Sequence, residues 1–305
     1  MIYTLTLNPC LDYIFSLEEL EMGVINRVAN PDIHPGGKGI NVSIILARLG
    51  FPVVALGFLG GQNGRVILNQ VQREGVTPSF VPINEENRTN IKIRGRSGIT
   101  TELNSRGPMI QKKEFKEILR KLEPLEKGDY LVLSGSVPEG LPVTVYRDLI
   151  TDLKTRDVRV IVDASGDLLK HTIEGKPFLI KPNREELASL FDVKNPTDLH
   201  EEKVVSYMRT LIDRGVENVI VSLGRDGALL MSKDYQLFAA RPPQIEVVSA
   251  VASGDSLIAG FLAEYLNTKD FELALKFGVA TGTATSGQRW LAFPEDIERI
   301  RPQIT

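Results

Sequence analysis

Between Lys112 and Ser222 short apolar runs alternate with amphipathic stretches, and no other feature of the sequence restricts its fold as much. Helix Lys112 to Leu122, strand Tyr130 to Leu133, helix Thr144 to Lys154 and strand Arg159 to Val162 follow one another. Strand Phe178 to Ile180, helices Arg184 to Leu190 and Glu201 to Arg214, and strand Val219 to Val221 continue the series. Strands separated by helices in this way form right-handed βαβ units around a parallel sheet. The sequence therefore predicts an α/β fold, a doubly wound and mostly parallel sheet flanked by helices. No repeat, low-complexity tract or long linker interrupts residues 1–305, which read as a single domain.

The first third of the chain is less regular. Met1 to Leu7 is rich in β-formers and stops at Asn8-Pro9. Pro35-Gly36-Gly37-Lys38-Gly39 turns into a helix, Ile40 to Leu49; strand Val53 to Phe58, turn Gly60 to Gly64 and helix Arg65 to Glu74 follow. Gly75-Val76 opens a strand to about Ile83, and Thr89 to Arg94 with Ile99 to Asn104 reads as a hairpin about Gly95 to Gly98. Extended pieces at about 12–17, 27–34 and 89–104 do not alternate with helices. They belong in a small separate sheet, from about 12–34 and 88–105, and a sheet hinged at the carboxyl ends of the parallel strands would act as a lid.

Composition narrows the function classes. A hydrophobic fraction of 42% and a formal charge of -3 suit an ordinary soluble protein and show no basic stripe for nucleic acid. No uncharged apolar run approaches the roughly 18 residues of a membrane span. The single cysteine, Cys10, excludes an internal disulfide, suits a reducing cytoplasm, and reads as a small buried hydrophobe. His34, His171 and His200 lack ligand spacing, which argues against zinc and against a Ser-His-Asp site.

Several stretches have both a chemical and a structural reading. Ser253-Gly254-Asp255 opens the apolar helix of Leu257, Phe261, Leu262 and Tyr265. The turn Ala252 to Asp255 offers unpaired N–H groups to an anion, and Asp255 is either a helix cap or a base beside that anion. Gly36-Gly37-Lys38-Gly39-Ile40-Asn41 lets a backbone approach a ligand, with Lys38 and Asn41 as donors, or is a plain turn. Its Lys is followed by Gly, so it is not a Walker loop. Asn183 and Glu186 share a helix face and suit either a hydrated magnesium ion or a capping box. Ser222 to Gly227 is a hairpin turn or a nucleotide-lining loop. Arg88, Asn90 and Lys92 alternate along one strand and so share a face, exposed to water or gripping a phosphate.

Taken in order, TLTLNPCLD (4–12), PGGKGINVS (35–43), SGSVP (134–138), VDASG (162–166), KPNREEL (181–187), SLGRDGAL (222–229) and ASGDSLIAGF (252–261) resemble the ribokinase-like sugar kinases of the PfkB group. Within that group Arg88 to Lys92 and Thr101 to Asn104 are most similar to 1-phosphofructokinases, with tagatose-6-phosphate kinases as close relatives. The resemblance implies ATP, magnesium and a small-molecule sugar phosphate, with fructose 1-phosphate favoured as acceptor. It implies Asp255 as base, with the turn Ala252, Ser253, Gly254 and Asp255 as anion hole. Asp12, Gly37, Lys38 and Asn41 would bind sugar hydroxyls; Arg27, Arg88, Lys92 and Ser136 would hold the acceptor phosphate, beside Asn90. Lys181, Ser222, Gly224 and Gly227 would line the ATP site, Asn183 and Glu186 would organise magnesium through water, and the lid sheet would pair two subunits.

Two departures stand out. Ala252 adds a Cβ where the group usually carries Gly, tolerable at negative φ and costly at positive φ. Ala250 lacks a hydroxyl that the group usually has upstream. Both leave room for a rival reading, a kinase fold that binds sugar phosphate and nucleotide without turnover.

Overall fold

The computed structural model describes residues 1–29, 31–95 and 100–305. Its main sheet has ten strands. Nine lie in the order Leu237–Ala240, Ala228–Ser232, Asn218–Ser222, Leu179–Ile180, Arg159–Asp163, Tyr130–Ser134, Ile2–Thr6, Val53–Gly60 and Thr77–Pro78. Val81–Ile83 adds the tenth by pairing with Val53–Gly60. Ala228–Ser232 runs antiparallel to both its neighbours, and the other pairings are parallel.

The chain enters mid-sheet at Ile2–Thr6, builds outward through Val53–Gly60, and returns to the other side of its first strand with Tyr130–Ser134. The winding reverses there, and such a reversal opens a crevice beyond the carboxyl ends of the strands. Alternate side chains feed two packed layers, as a period of two requires. Ile2, Tyr130, Val132 and Ile161 meet the helices Lys38–Arg48, Ser253–Thr268 and Phe271–Ser286 on one face. Leu5, Leu131, Leu133, Val160 and Val162 meet Lys112–Leu122, Val145–Lys154, Gly166–Glu174 and Glu201–Asp213 on the other. The α/β fold expected from the alternation is the fold observed.

A second sheet orders Asp32–Gly36, Cys10–Ser16, Arg88–Arg94 and Thr100–Asn104. Its register sets Asp12 opposite His34 on one side and Asn90 on the other. His34 stacks on Trp290 with ring centroids 4.3 Å apart, and the Arg48 guanidinium lies 5.0 Å over the same indole, tying this sheet to the C-terminal segment.

The differences from the expected elements have local causes. The strand expected over 27–34 is only Asp32–Gly36, which takes up Pro35 and Gly36 assigned to the turn; Asn30 lies outside the described residues. Of the hairpin turn about Gly95 to Gly98 and the strand expected from Ile99, residues 96–99 also lie outside them. Gly61–Arg73 is helical from the glycine run onward, because the Glu86 carboxylate accepts hydrogen bonds from the N–H groups of Gln62 and Asn63. Helix Gly166–Glu174 has no counterpart in the sequence reading; its buried stripe is only Leu168, Leu169, Thr172 and Ile173. Among the described residues no helix is long and apolar enough to cross a membrane.

Candidate active site

A cleft of about 1410 Å³ opens at the carboxyl ends of the parallel strands, under the second sheet. The ends of successive strands supply Thr6, Ser136, Asp163, Lys181 and Ser222 to its floor, while Asp12, Arg88, Asn90 and Lys92 face it from the second sheet. Arg88, Asn90 and Lys92 do share one face, as their alternation required.

Helix Ser253–Thr268 points its N-terminus into this cleft; the Ser253 N–H makes only a long 3.5 Å bond to the Ala250 carbonyl, and those of Gly254 and Asp255 have no carbonyl partner among the described residues. Ala252 precedes it in the left-handed region, φ 63° and ψ 2°. Of the two possibilities at this position the costly one is realised. Asp255 is buried and accepts a 2.8 Å hydrogen bond at Oδ2 from Asn41 Nδ2, and the helix N-cap has no side-chain cap bond. The carboxylate is therefore not spent on capping. Burial, then the charge of Asp163, pushes its pKa up to about 6 against the pull of Lys38, the Asn41 hydrogen bond and Lys181. Ser253 Oγ lies 2.8 Å from Ser286 Oγ, which pins the turn to the neighbouring helix.

Asp163 has a place here that the sequence reading missed. It closes strand Arg159–Asp163, is 1% exposed, and pairs through Oδ1 with Lys38 at 3.0 Å and Lys181 at 3.5 Å. Burial pushes its carboxyl up, but Lys181 and Lys38 outweigh that and hold it below the ordinary range. The available signal was an acidic residue ending an otherwise apolar strand at the carboxyl edge of the sheet. Gly37 delivers Lys38 at φ 114°, where a Cβ would stand 2.7 Å from Thr6 Cγ2. Lys38 also lies 3.9 Å from Glu186 Oε1, and its surrounding carboxylates raise its pKa despite burial. Asn183 and Glu186 form a reciprocal capping box, at 2.7 and 2.8 Å. That box uses Asn183 Oδ1 and Glu186 Oε2 and leaves Glu186 Oε1 toward Lys38. Lys181 packs beneath the turn Ala252 to Asp255, its ammonium 3.1 Å from where a Cβ on Gly254 would be.

At the other end of the cleft Asp12 accepts from Lys92 at 2.8 Å, Asn90 at 3.1 Å and the Cys10 thiol at 3.2 Å. Cys10 is buried as expected, yet its thiol is used; burial and the nearby Asp12 push its pKa up. Ser136 Oγ accepts from Asn8 Nδ2. Arg27 is exposed and stays off the cleft lining of this single chain. Ser222, Gly224 and Gly227 line the cleft through a tight turn closed by Leu223 N–H to Gly227 carbonyl, with φ of 61° at Gly224 and 90° at Gly227. Pro242, Pro243, Ile245, Val247, Val279 and Thr283 complete the wall. None of these is visible as a site residue in the sequence, since apolar side chains and a lone helical threonine carry no chemical signature of a site.

Residues 5–296 match the family described as pfkB family carbohydrate kinase. The chain belongs to the PfkB carbohydrate kinases. Over 304 residues this kinase is 38% identical to a 1-phosphofructokinase of Bacillus subtilis (strain 168), covering 100% of this chain and 98% of that one. It is 36% identical to a tagatose-6-phosphate kinase of Staphylococcus epidermidis (strain ATCC 12228 / FDA PCI 1200), over 92% of this chain and 91% of the other. The phosphofructokinase-2 structure from Escherichia coli in complex with substrates and products superposes with a TM-score of 0.92 at 29% identity, covering 99% and 98%. This PfkB kinase is thus a phosphotransferase with an alcohol acceptor, and ATP is its co-substrate.

Proposed function

We propose that this kinase phosphorylates a ketohexose phosphate, with fructose 1-phosphate as acceptor and fructose 1,6-bisphosphate as product. The observation that carries this is Asp255: a buried carboxylate, oriented by Asn41, at a helix N-terminus facing the Asp12 and Arg88 end of the same cleft. A base with pKa near the working pH is well matched to taking a hydroxyl proton. As the acceptor oxygen bonds to the γ-phosphorus, its proton passes to Asp255, the bond to the β–γ bridging oxygen breaks, and ADP leaves. The N–H groups of Gly254 and Asp255, with that of Ser253 once it leaves its long bond to the Ala250 carbonyl, would face the charge on the phosphoryl group in flight, and stabilising that charge is the largest part of catalysis in such transfers. Lys38 and Lys181, balanced at rest by Asp163, add positive charge beside it.

Asp12, Asn41 and Lys38 would meet the sugar hydroxyls; Arg88 and Ser136 would face the acceptor's phosphate. The second sheet would close over the cleft as a lid and limit wasteful ATP hydrolysis by excluding water. The donor set fits magnesium, a hard cation that keeps several waters. Glu186 offers a carboxylate oxygen, and Asp163 Oδ2 is buried without a hydrogen-bond partner among the described residues. With Asn183 they would hold the ion through water, and it would supply neutralising charge on the ATP phosphates. Met22 at 86% and Ile25 at 83% exposure, on the segment between the strands of the second sheet, support a homodimer through that sheet.

The test is a coupled ADP-release assay with fructose 1-phosphate, tagatose 6-phosphate and fructose 6-phosphate. The expected result is the highest kcat/KM with fructose 1-phosphate. Equal values would remove the specific acceptor, a lead for tagatose 6-phosphate would favour the reading that the Staphylococcus relative supports, and no ADP with any acceptor would leave a binding protein.

A further inference from the structure

The cations expected at the acceptor-phosphate end are mostly committed elsewhere. A guanidinium has five N–H donors. Those of Arg88 serve the Asn8 carbonyl from Nε and Nη2, at 3.2 and 3.1 Å. Its Nη1 serves Asn90 Oδ1 at 3.1 Å and the Ser105 carbonyl at 3.2 Å, so one N–H remains. Lys92 is tied to Asp12 at 2.8 Å, and Arg27 is off the cleft. A phosphate monoester dianion needs more than one remaining N–H.

A side pocket of about 310 Å³ adjoins this end and shares Asn8, Arg88 and Ser136 with the main cleft. Its outer wall carries Arg106 and Glu139. The Arg106 side chain is 90% exposed, and its carboxylate partner Glu139 stands 3.6 Å away, longer than a strong charge-assisted hydrogen bond. Such an exposed pair contributes little and is exchanged easily. The backbone beneath it is held firmly. Asn8 Nδ2 donates to the Arg106 carbonyl at 2.9 Å, Ser105 Oγ donates to the Thr89 carbonyl at 2.8 Å, and Gly107 at φ 99° packs where a Cβ would stand 2.2 Å from Asn8 Oδ1. A fixed base and a loosely held guanidinium make a preorganised arm beside Arg88.

We infer that Arg106 binds the phosphate already present on the acceptor, and that Glu139 holds the guanidinium until that phosphate displaces it. This rests on the reading of the acceptor as a sugar phosphate and adds the residue that recognises it. Arg supplies the planar fork that phosphate accepts in two bonds. Glu139 acts as a competitor: its charge opposes an incoming phosphate, so its removal should strengthen binding.

The experiment titrates the full chain, without nucleotide, with fructose 1-phosphate and with fructose, and reads the ratio of their affinities. Arg106→Ala is expected to lower that ratio by roughly tenfold to a hundredfold, the worth of hydrogen bonds to a charged group. Glu139→Gln is expected to raise the affinity for fructose 1-phosphate, a gain that a damaged fold could not imitate. An unchanged ratio in Arg106→Ala, or weaker fructose 1-phosphate binding in Glu139→Gln, overturns the assignment. ADP release is measured on the same samples. Turnover with a ratio insensitive to Arg106 defeats this inference alone; a ratio sensitive to Arg106 without turnover supports it and defeats the proposed reaction. A wild-type ratio of one defeats both.

Discussion

Asn41 and Asp255 stand 214 positions apart in the chain and 2.8 Å apart in the fold. The bond joins the N-terminal turns of two helices, and it occupies Oδ2 of the carboxylate. The other oxygen is then the one that an acceptor hydroxyl can reach. A hydrogen bond to the ionised form also favours that form, so Asn41 opposes the burial that would keep Asp255 protonated.

Asp255 must be ionised to accept a proton. With its pKa pushed up to about 6, kcat/KM should fall about tenfold per pH unit below that value. Asp255→Asn should lose roughly a thousandfold or more in rate and the acid limb with it. A variant that turned over at the wild-type rate would remove Asp255 from the mechanism.

The same shift has a consequence for stability. The folded state holds this proton more tightly than the unfolded chain, whose value is near 3.8. Stability from Asp255 is therefore fully present below the unfolded value and is lost as pH rises through about 6. Asp255→Asn should melt higher than wild type at pH 8, with an advantage that shrinks to nothing near pH 4. Thermal unfolding of both proteins across that range checks the sign.

Asp163 obeys the opposite rule, because its folded pKa is depressed by Lys181 and Lys38. Its ion pairs contribute above the unfolded pKa and are lost as pH falls through the depressed folded one. Lys181→Met leaves this 1% exposed carboxylate with Lys38 alone and should cost about 3 kcal/mol at pH 7. Asp163→Asn in that background should recover part of the loss, as a double-mutant cycle in denaturant would show. Asp163→Asn alone removes the second cause of the raised Asp255 pKa, so the acid limb of kcat/KM should move below 6.

The parallel half of the fold is legible in the sequence because each strand and helix there is a local pattern. Strand Arg159–Asp163 shows its apolar run within five residues. What lies across the chain is not legible. Glu86 starts helix Gly61–Arg73 from outside it, and no window around Gly61 contains that carboxylate. Asp163 looks like the end of a strand until Lys38, 125 positions away, is brought to 3.0 Å. Of the residues that line the cleft, those with a chemical group at a glycine-rich turn or strand end, such as Lys38, Lys181 and Asp255, are visible in advance as candidates. Arg106 is not, since nothing near it in sequence reveals that the donors of Arg88 are already used.

The exposed apolar residues Met22, Val24 and Ile25 predict self-association. Sedimentation should show a dimer for the wild-type chain and a monomer for Ile25→Asp. A wild-type monomer at micromolar concentration would exclude the proposed pairing of the second sheet.

Ala252 holds a left-handed backbone, φ 63°, at the residue just before the helix that carries Asp255. A Cβ in that region costs roughly 1–2 kcal/mol, whereas glycine there loses only its greater unfolded-state freedom, roughly 0.5–1 kcal/mol. The first effect is the larger, so Ala252→Gly should raise stability by about 0.5–1 kcal/mol and melt a degree or two higher. Ala252→Val, branched at Cβ, should do the reverse and lower kcat, because the turn can relax only by moving the N–H groups of Ser253 and Gly254 off the transferring phosphoryl group. The turn is pinned from behind by Ser253 to Ser286, and Lys181 crowds it at Gly254, so it has little room to relax without cost. If Ala252→Gly melted lower than wild type, the strain would not reside at this residue.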